Sequence, residues 1–167
     1  MKRPLSLVIG ASAVAAAVAG CGGGSHTSST AAGYGAAAPA PAAAVGAKVA
    51  TRPTRLGRVL VDGRGRTLYL FEKDKGTASS CAGACASVWP PLTTRGAKGV
   101  AGTGVRAARL GTTRRGDGHT ELTYAGHPLY TYAGDARAGD VKGQGLDQFG
   151  AEWYVLAPSG RKIDGDS

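Results

Sequence analysis

Two copies of one short pattern hold most of the residues here that could do chemistry. Leu68-Tyr69-Leu70-Phe71-Glu72-Lys73-Asp74 and Leu129-Tyr130-Thr131-Tyr132-Ala133-Gly134-Asp135 share L-Y-x-[FY]-x-x-D, and a tryptophan follows each, at Trp89 and Trp153. If Asp74 and Asp135 met in one cleft beside the tyrosine hydroxyls, the two carboxylates could run general acid/base chemistry on a glycosidic bond, which needs them about 5 to 10 Å apart, or could bind a cation. The packing reading puts Tyr69, Phe71, Tyr130 and Tyr132 in the core, with each aspartate accepting backbone N–H bonds in an Asx-type turn at a strand end. No spacing in the sequence brings the two carboxylates together, so packing is the expectation.

His127, in the "GHPL" stretch beside the second copy, is the one histidine next to a motif and the candidate ligand for a metal or redox role. No H-x-H, H-x-x-x-H or E-x-x-H spacing supplies it with partners, and the sole methionine is Met1. No metal or cofactor is therefore expected. There is no G-x-S-x-G nucleophile elbow and no G-x-x-x-x-G-K-[ST] phosphate loop. The residue types favour a binding or structural module over an enzyme.

The cysteines are read through the compartment. "MKRPLSLVIGASAVAAAVAGC" has a basic start, an apolar run and small residues before Cys21, the arrangement of an export signal. Its end, Val18-Ala19-Gly20-Cys21, resembles the lipobox of bacterial lipoproteins. That implies signal peptide 1–20, a lipid anchor on Cys21 and an extracytoplasmic chain held at the cell membrane, the acyl chains supplying about 0.8 kcal/mol per buried CH₂. Without Lys2 and Arg3, the 20 Lys and Arg fall to 18 against 11 Asp and Glu, a formal charge of +7. Anionic envelope polymers or lipid headgroups are the partners such a charge would attract, beside protein partners of unknown kind. Nucleic acid is not expected, because the aromatics sit in strand-like runs rather than on display for stacking. In an oxidising compartment Cys81 and Cys85 are expected to pair, contributing about 2 kcal/mol by chain entropy and orienting Trp89.

These residues need a scaffold. Residues 22–51 are dominated by Ala, Gly, Ser and Pro and predict a tether with a reach of about 30 Å. Residues 52–167 read as a small all-β domain: repeat 1 at about 56–92, a loop at about 93–119 and repeat 2 at about 120–158. Strands are predicted at Arg58–Val61 and Thr67–Phe71 around an Asp62–Gly65 turn, at Glu121–Tyr124 and Pro128–Tyr132 around Ala125-Gly126, and at Trp153–Leu156. Apolar residues on both faces of 68–71 make that strand central. Two such hairpins predict pseudo-twofold symmetry with Gly-rich loops.

The tandem Tyr-x4-Asp motifs, Cys-x3-Cys before Trp-Pro-Pro, "LTYAGHPLYTYAGD", "GDVKGQGL" and "EWYVL" resemble the bacterial lipoproteins described as a secreted repeat of unknown function, with a Yx(FWY)xxD motif. The resemblance implies export and a repeat, and carries no settled activity. The leading expectation is a surface lipoprotein that acts by binding or structurally. An extracellular redox or metal-handling protein is the alternative, and a carboxylate hydrolase a distant third.

Overall fold

The computed structural model describes residues 46–165. Cys21, the leader and most of the expected tether lie outside them. The strands are β1 (Lys48–Thr54), β2 (Gly57–Asp62), β3 (Tyr69–Phe71), β4 (Thr93–Thr94), β5 (Val100–Ala101), β6 (Leu110–Arg114), β7 (Thr120–Tyr124), β8 (His127–Pro128), β9 (Leu146–Gln148) and β10 (Ala151–Val155). A short α-helix, α1 (Ala84–Val88), and a 3-10 turn at Ala107–Arg109 interrupt them. They form three sheets, ordered β2-β1-β5, β3-β10-β9 and β4-β7-β6, with β8 added to β7.

Both repeats are built alike. In each, an antiparallel hairpin (β1–β2, β6–β7) precedes the motif strand. Behind each lies a closed triangle of leucine backbone bonds. Leu68 N–H donates to Leu60 O, Leu60 N–H to Leu156 O, and Leu156 N–H to Leu68 O; the second triangle runs Leu129 to Leu122, Leu122 to Leu92, and Leu92 to Leu129. Leu92 and Leu156 each stand three residues after a tryptophan, so the repeat carries W-x-x-L as well as the tyrosine motif.

The strand at 68–71 is central because both its faces are apolar. Tyr69 and Phe71 enter an aromatic core with Trp89, Tyr130 and Trp153, while Leu68 and Leu70 enter a leucine core with Leu60, Leu122, Leu129 and Leu156. The two motif strands cross at Tyr69 and Tyr130, which exchange backbone bonds of 2.9 and 3.1 Å. The local pseudo-twofold runs between these residues.

Three expectations need correction. The first hairpin turns as expected (Asp62 N–H to Arg66 O, 2.8 Å) and keeps a Val61–Thr67 bridge, but its strands then part. β3 pairs with β10 and β2 with β1, because a strand apolar on both faces is buried only with partners beyond its own hairpin. The domain starts inside the stretch assigned to the tether: β1 begins at Lys48, held by six register pairs with β2 and by Val49, fully buried. Residues 93–119 are not simply a loop. They contain β4, β5 and all of β6, whose side chains are too polar to advertise a strand. The Ala125-Gly126 turn matches its expectation, with φ of 52° and 91°, both positive as a type I′ turn requires.

Candidate functional site

The motif residues meet across the pseudo-twofold. Tyr69 of the first repeat donates its hydroxyl to Asp135 Oδ2 of the second at 2.6 Å, and Tyr130 of the second donates to Asp74 Oδ2 of the first at 2.8 Å. Each remaining carboxylate oxygen holds down the loop after its own motif. Asp74 Oδ1 accepts from Ser80 N–H and Oγ, and Asp135 Oδ1 from Lys142 N–H. These bonds reach six or seven residues along the chain, further than the Asx turn expected. Burial and its carboxylate partner push each of these two phenols far above the ordinary tyrosine range. Burial also raises the Asp135 carboxyl.

The rings interlock in the same exchanged manner. Phe71, Trp153, Trp89 and Tyr132 form one continuous stack with centroid spacings of 4.0, 3.9 and 4.4 Å, in which Phe71 lies on the tryptophan of the other repeat and so does Tyr132. Tyr69 meets Trp89 edge-on at 5.3 Å and Tyr130 meets Trp153 edge-on at 5.1 Å. Gln148 serves both indoles, Trp89 N–H donating to its Oε1 and Trp153 N–H to its backbone oxygen. Gly143 gives "GDVKGQGL" a physical reason: a Cβ there would lie 2.6 Å from Trp89 and 3.0 Å from Tyr69. Cys81 and Cys85 are disulfide-bonded across the start of α1, and α1 ends where Trp89 enters the stack.

Asp74 and Asp135 are thus separately committed and do not line one cleft. Asp74 instead shares a pocket of about 630 Å³ with His127, Glu72, Lys162 and Asp164. Among the described residues, no three His, Cys, Asp or Glu side chains are grouped so as to hold a metal.

Nothing in the sequence sets Arg115 apart from the other arginines, and the structure buries it. Its guanidinium donates to Glu121 Oε2 (2.7 Å), Ser79 Oγ (2.7 Å), Cys81 O (2.6 Å) and Asp117 Oδ2 (2.9 Å). Since Tyr130 donates to Asp74, Ser79 Oγ donates to Tyr130, 2.7 Å away, and a directed chain runs Arg115, Ser79, Tyr130, Asp74. Glu121 is fully buried, its Oε1 has no hydrogen-bond partner among the described residues, and burial pushes its carboxyl up to about 7 against the pull of Arg115. The strand predicted at Glu121–Tyr124 holds Glu121, but no sequence signal joins it to Arg115.

A cleft of about 1150 Å³ lies at the junction of β1, the Asp62–Arg66 turn and β4. Lys48, Arg64, Arg66 and Arg95 line it, with His119, Thr93 and Thr94. Its one carboxylate, Asp62, is occupied by the backbone N–H groups of Arg64 and Arg66 and the Arg66 guanidinium, each at 2.9 Å. Among the described residues Lys48, Arg64 and Arg95 make no ion pair, so the cleft presents uncompensated positive charge. Lys48, the pair Arg64 and Arg66, and Arg95 come from three separate segments that the fold brings together.

A family model described as "Secreted repeat of unknown function" matches residues 50–93 and 111–157. No curated protein and no solved structure matches the chain.

Proposed function

The chain belongs to the family described as a secreted repeat of unknown function, and from that premise we propose that it is a membrane-anchored binding module whose basic cleft takes a phosphodiester-linked anionic polymer of the cell envelope. The observation that carries this reading is the cleft itself, where three cations without ion pairs and Arg66 surround one already occupied carboxylate. Thr93 adds a hydroxyl group suited to phosphate oxygens, while the Thr94 hydroxyl already donates to Ala97 O at 2.9 Å. The lipobox-like end of the leader supports an acyl anchor at Cys21, and the +7 charge of the chain beyond it supports attraction to a polyanion. A Cys21→Ala chain should leave the membrane fraction; retention would remove the anchor from the reading.

The test of the cleft is titration with labelled poly(glycerol phosphate), in parallel with vesicles of anionic phospholipid and with an uncharged polyol. Binding should weaken steadily with added salt. Arg64→Gln and Arg95→Gln should each weaken it roughly fivefold, about 1 kcal/mol per lost phosphate contact. Preference for the vesicles would reassign the ligand to headgroups. Equal binding by the double variant, or no binding by the native chain, would sink the reading.

A further inference from the structure

Independently of the cleft, we propose that the aromatic interlock is a one-electron sink: a peroxyl-type radical at the surface takes a hydrogen atom from Tyr132, and the oxidising equivalent passes through Trp89 to rest on Tyr69, whose phenolic proton moves to Asp135.

The geometry supplies each requirement. Tyr132 is half-buried, while Trp89, Trp153 and Phe71 are at most 2% exposed, so among the described residues the stack meets solvent at its Tyr132 end. The next ring inward is Trp89 at 4.4 Å, and Tyr69 touches Trp89 edge-on at 5.3 Å. At the far end Phe71 closes the stack with a ring much harder to oxidise than indole or phenol. Oxidising a phenol requires its proton to leave, and Asp135 Oδ2 waits 2.6 Å from the Tyr69 oxygen.

Packing alone does not call for carboxylates at these positions. A buried hydroxyl that needs only an acceptor is served by a backbone carbonyl, as Tyr124 is by Pro158 O at 2.8 Å. Burying a carboxylate costs more than using a carbonyl already present, yet both motif tyrosines have one. Of the two, Tyr69 is the resting place. Asp135 is 6% exposed and its Oδ1 accepts one further bond, whereas Asp74 is half-buried and its Oδ1 accepts two, both from Ser80.

The steps balance. A peroxyl radical and Tyr132–OH give a hydroperoxide and the Tyr132 phenoxyl, one O–H bond breaking and one forming. The Tyr132 phenoxyl then takes an electron through Trp89 from Tyr69 and a proton from solvent, regenerating Tyr132–OH. Tyr69 becomes a phenoxyl radical and Asp135 a neutral acid. One equivalent is stored per chain, away from whatever lies outside.

The experiment is pulse radiolysis of the intact chain with the azidyl radical, a small neutral one-electron oxidant, followed by transient absorption and freeze-quench electron paramagnetic resonance. The native chain should pass through a tryptophan signal to a long-lived tyrosyl radical. Tyr69→Phe should abolish the long-lived species, Asp135→Asn should shorten its life, and Tyr132→Phe, which keeps the ring in the stack, should suppress its formation. Near-ultraviolet circular dichroism identifies variants that keep the stacked tryptophans, and only those are compared. A radical equally long-lived in Tyr69→Phe, or one lost in Tyr34→Phe or Tyr154→Phe instead, would overturn the proposal.

Discussion

A phenol and a carboxylate buried together stabilise each other only while both are present, since removing one strands the other without its partner. At Tyr69 the stranded group would be Asp135, 6% exposed and left with one backbone donor. At Tyr130 it would be Asp74, half-buried and still served by both donors of Ser80. Tyr69→Phe should therefore cost about 1–3 kcal/mol and Tyr130→Phe less. Urea denaturation of the two variants measures this, and an equal or reversed order would contradict the assignment of Asp135 as the more dependent carboxylate. The motif itself was plain in the sequence, with its tyrosines, aromatics and aspartates at matched positions. Its exchange across the repeats was not, because a repeated Tyr-x4-Asp reads the same whether each tyrosine serves its own aspartate or the other repeat's. The choice is made by the crossing of the two motif strands at Tyr69 and Tyr130.

Arg115, just past β6, ties the β6–β7 hairpin to the start of the disulfide loop through Cys81 O and Ser79, with Glu121 on β7 as its buried partner. Burial raises the Glu121 carboxyl from 4.5 to about 7 in the folded chain. A carboxyl whose folded value is raised binds its proton more tightly when folded. Its contribution is full below about pH 4.5 and is lost as pH rises through about 7. The native chain should thus lose up to about 3 kcal/mol from this group between pH 4.5 and pH 8, and Glu121→Gln should remove that part of the slope. Asp117, held near 2 by the His119 backbone N–H and by Arg115, titrates below this window. Urea midpoints at pH 5 and pH 8 decide the matter: parallel losses in both proteins would mean that Glu121 is ionised throughout. Elements with strong local chemistry, such as the Ala125-Gly126 turn and the apolar run at 68–71, were legible in the sequence. β1 and β6 were not, because each is held by backbone bonds to the next strand while its own side chains are largely polar and show no buried face.

Over the whole described molecule the two repeats act as halves of one object, joined by exchanged tyrosine bonds, a four-ring stack and two leucine triangles. The all-β class followed from the apolar and aromatic runs between turn residues, and the twofold repetition from the spacing of the motif. W-x-x-L escaped notice because Trp89-Pro90-Pro91-Leu92 and Trp153-Tyr154-Val155-Leu156 share little else. The basic cleft could not be read at all, since Lys48, Arg64 and Arg95 come from three segments that only folding gathers. That scaffold gathers three cations without ion pairs into one concave cleft, and the central claim is that a phosphodiester polymer fills it. The most direct measurement is a nuclear magnetic resonance titration of isotopically labelled chain with poly(glycerol phosphate), following backbone amides and arginine side chains. Shifts gathered at Lys48, Arg64, Arg66, Thr93, Thr94 and Arg95, and reversed by salt, are the predicted result. Shifts spread over all the exposed arginines, or gathered around Asp74 and His127 instead, would contradict it.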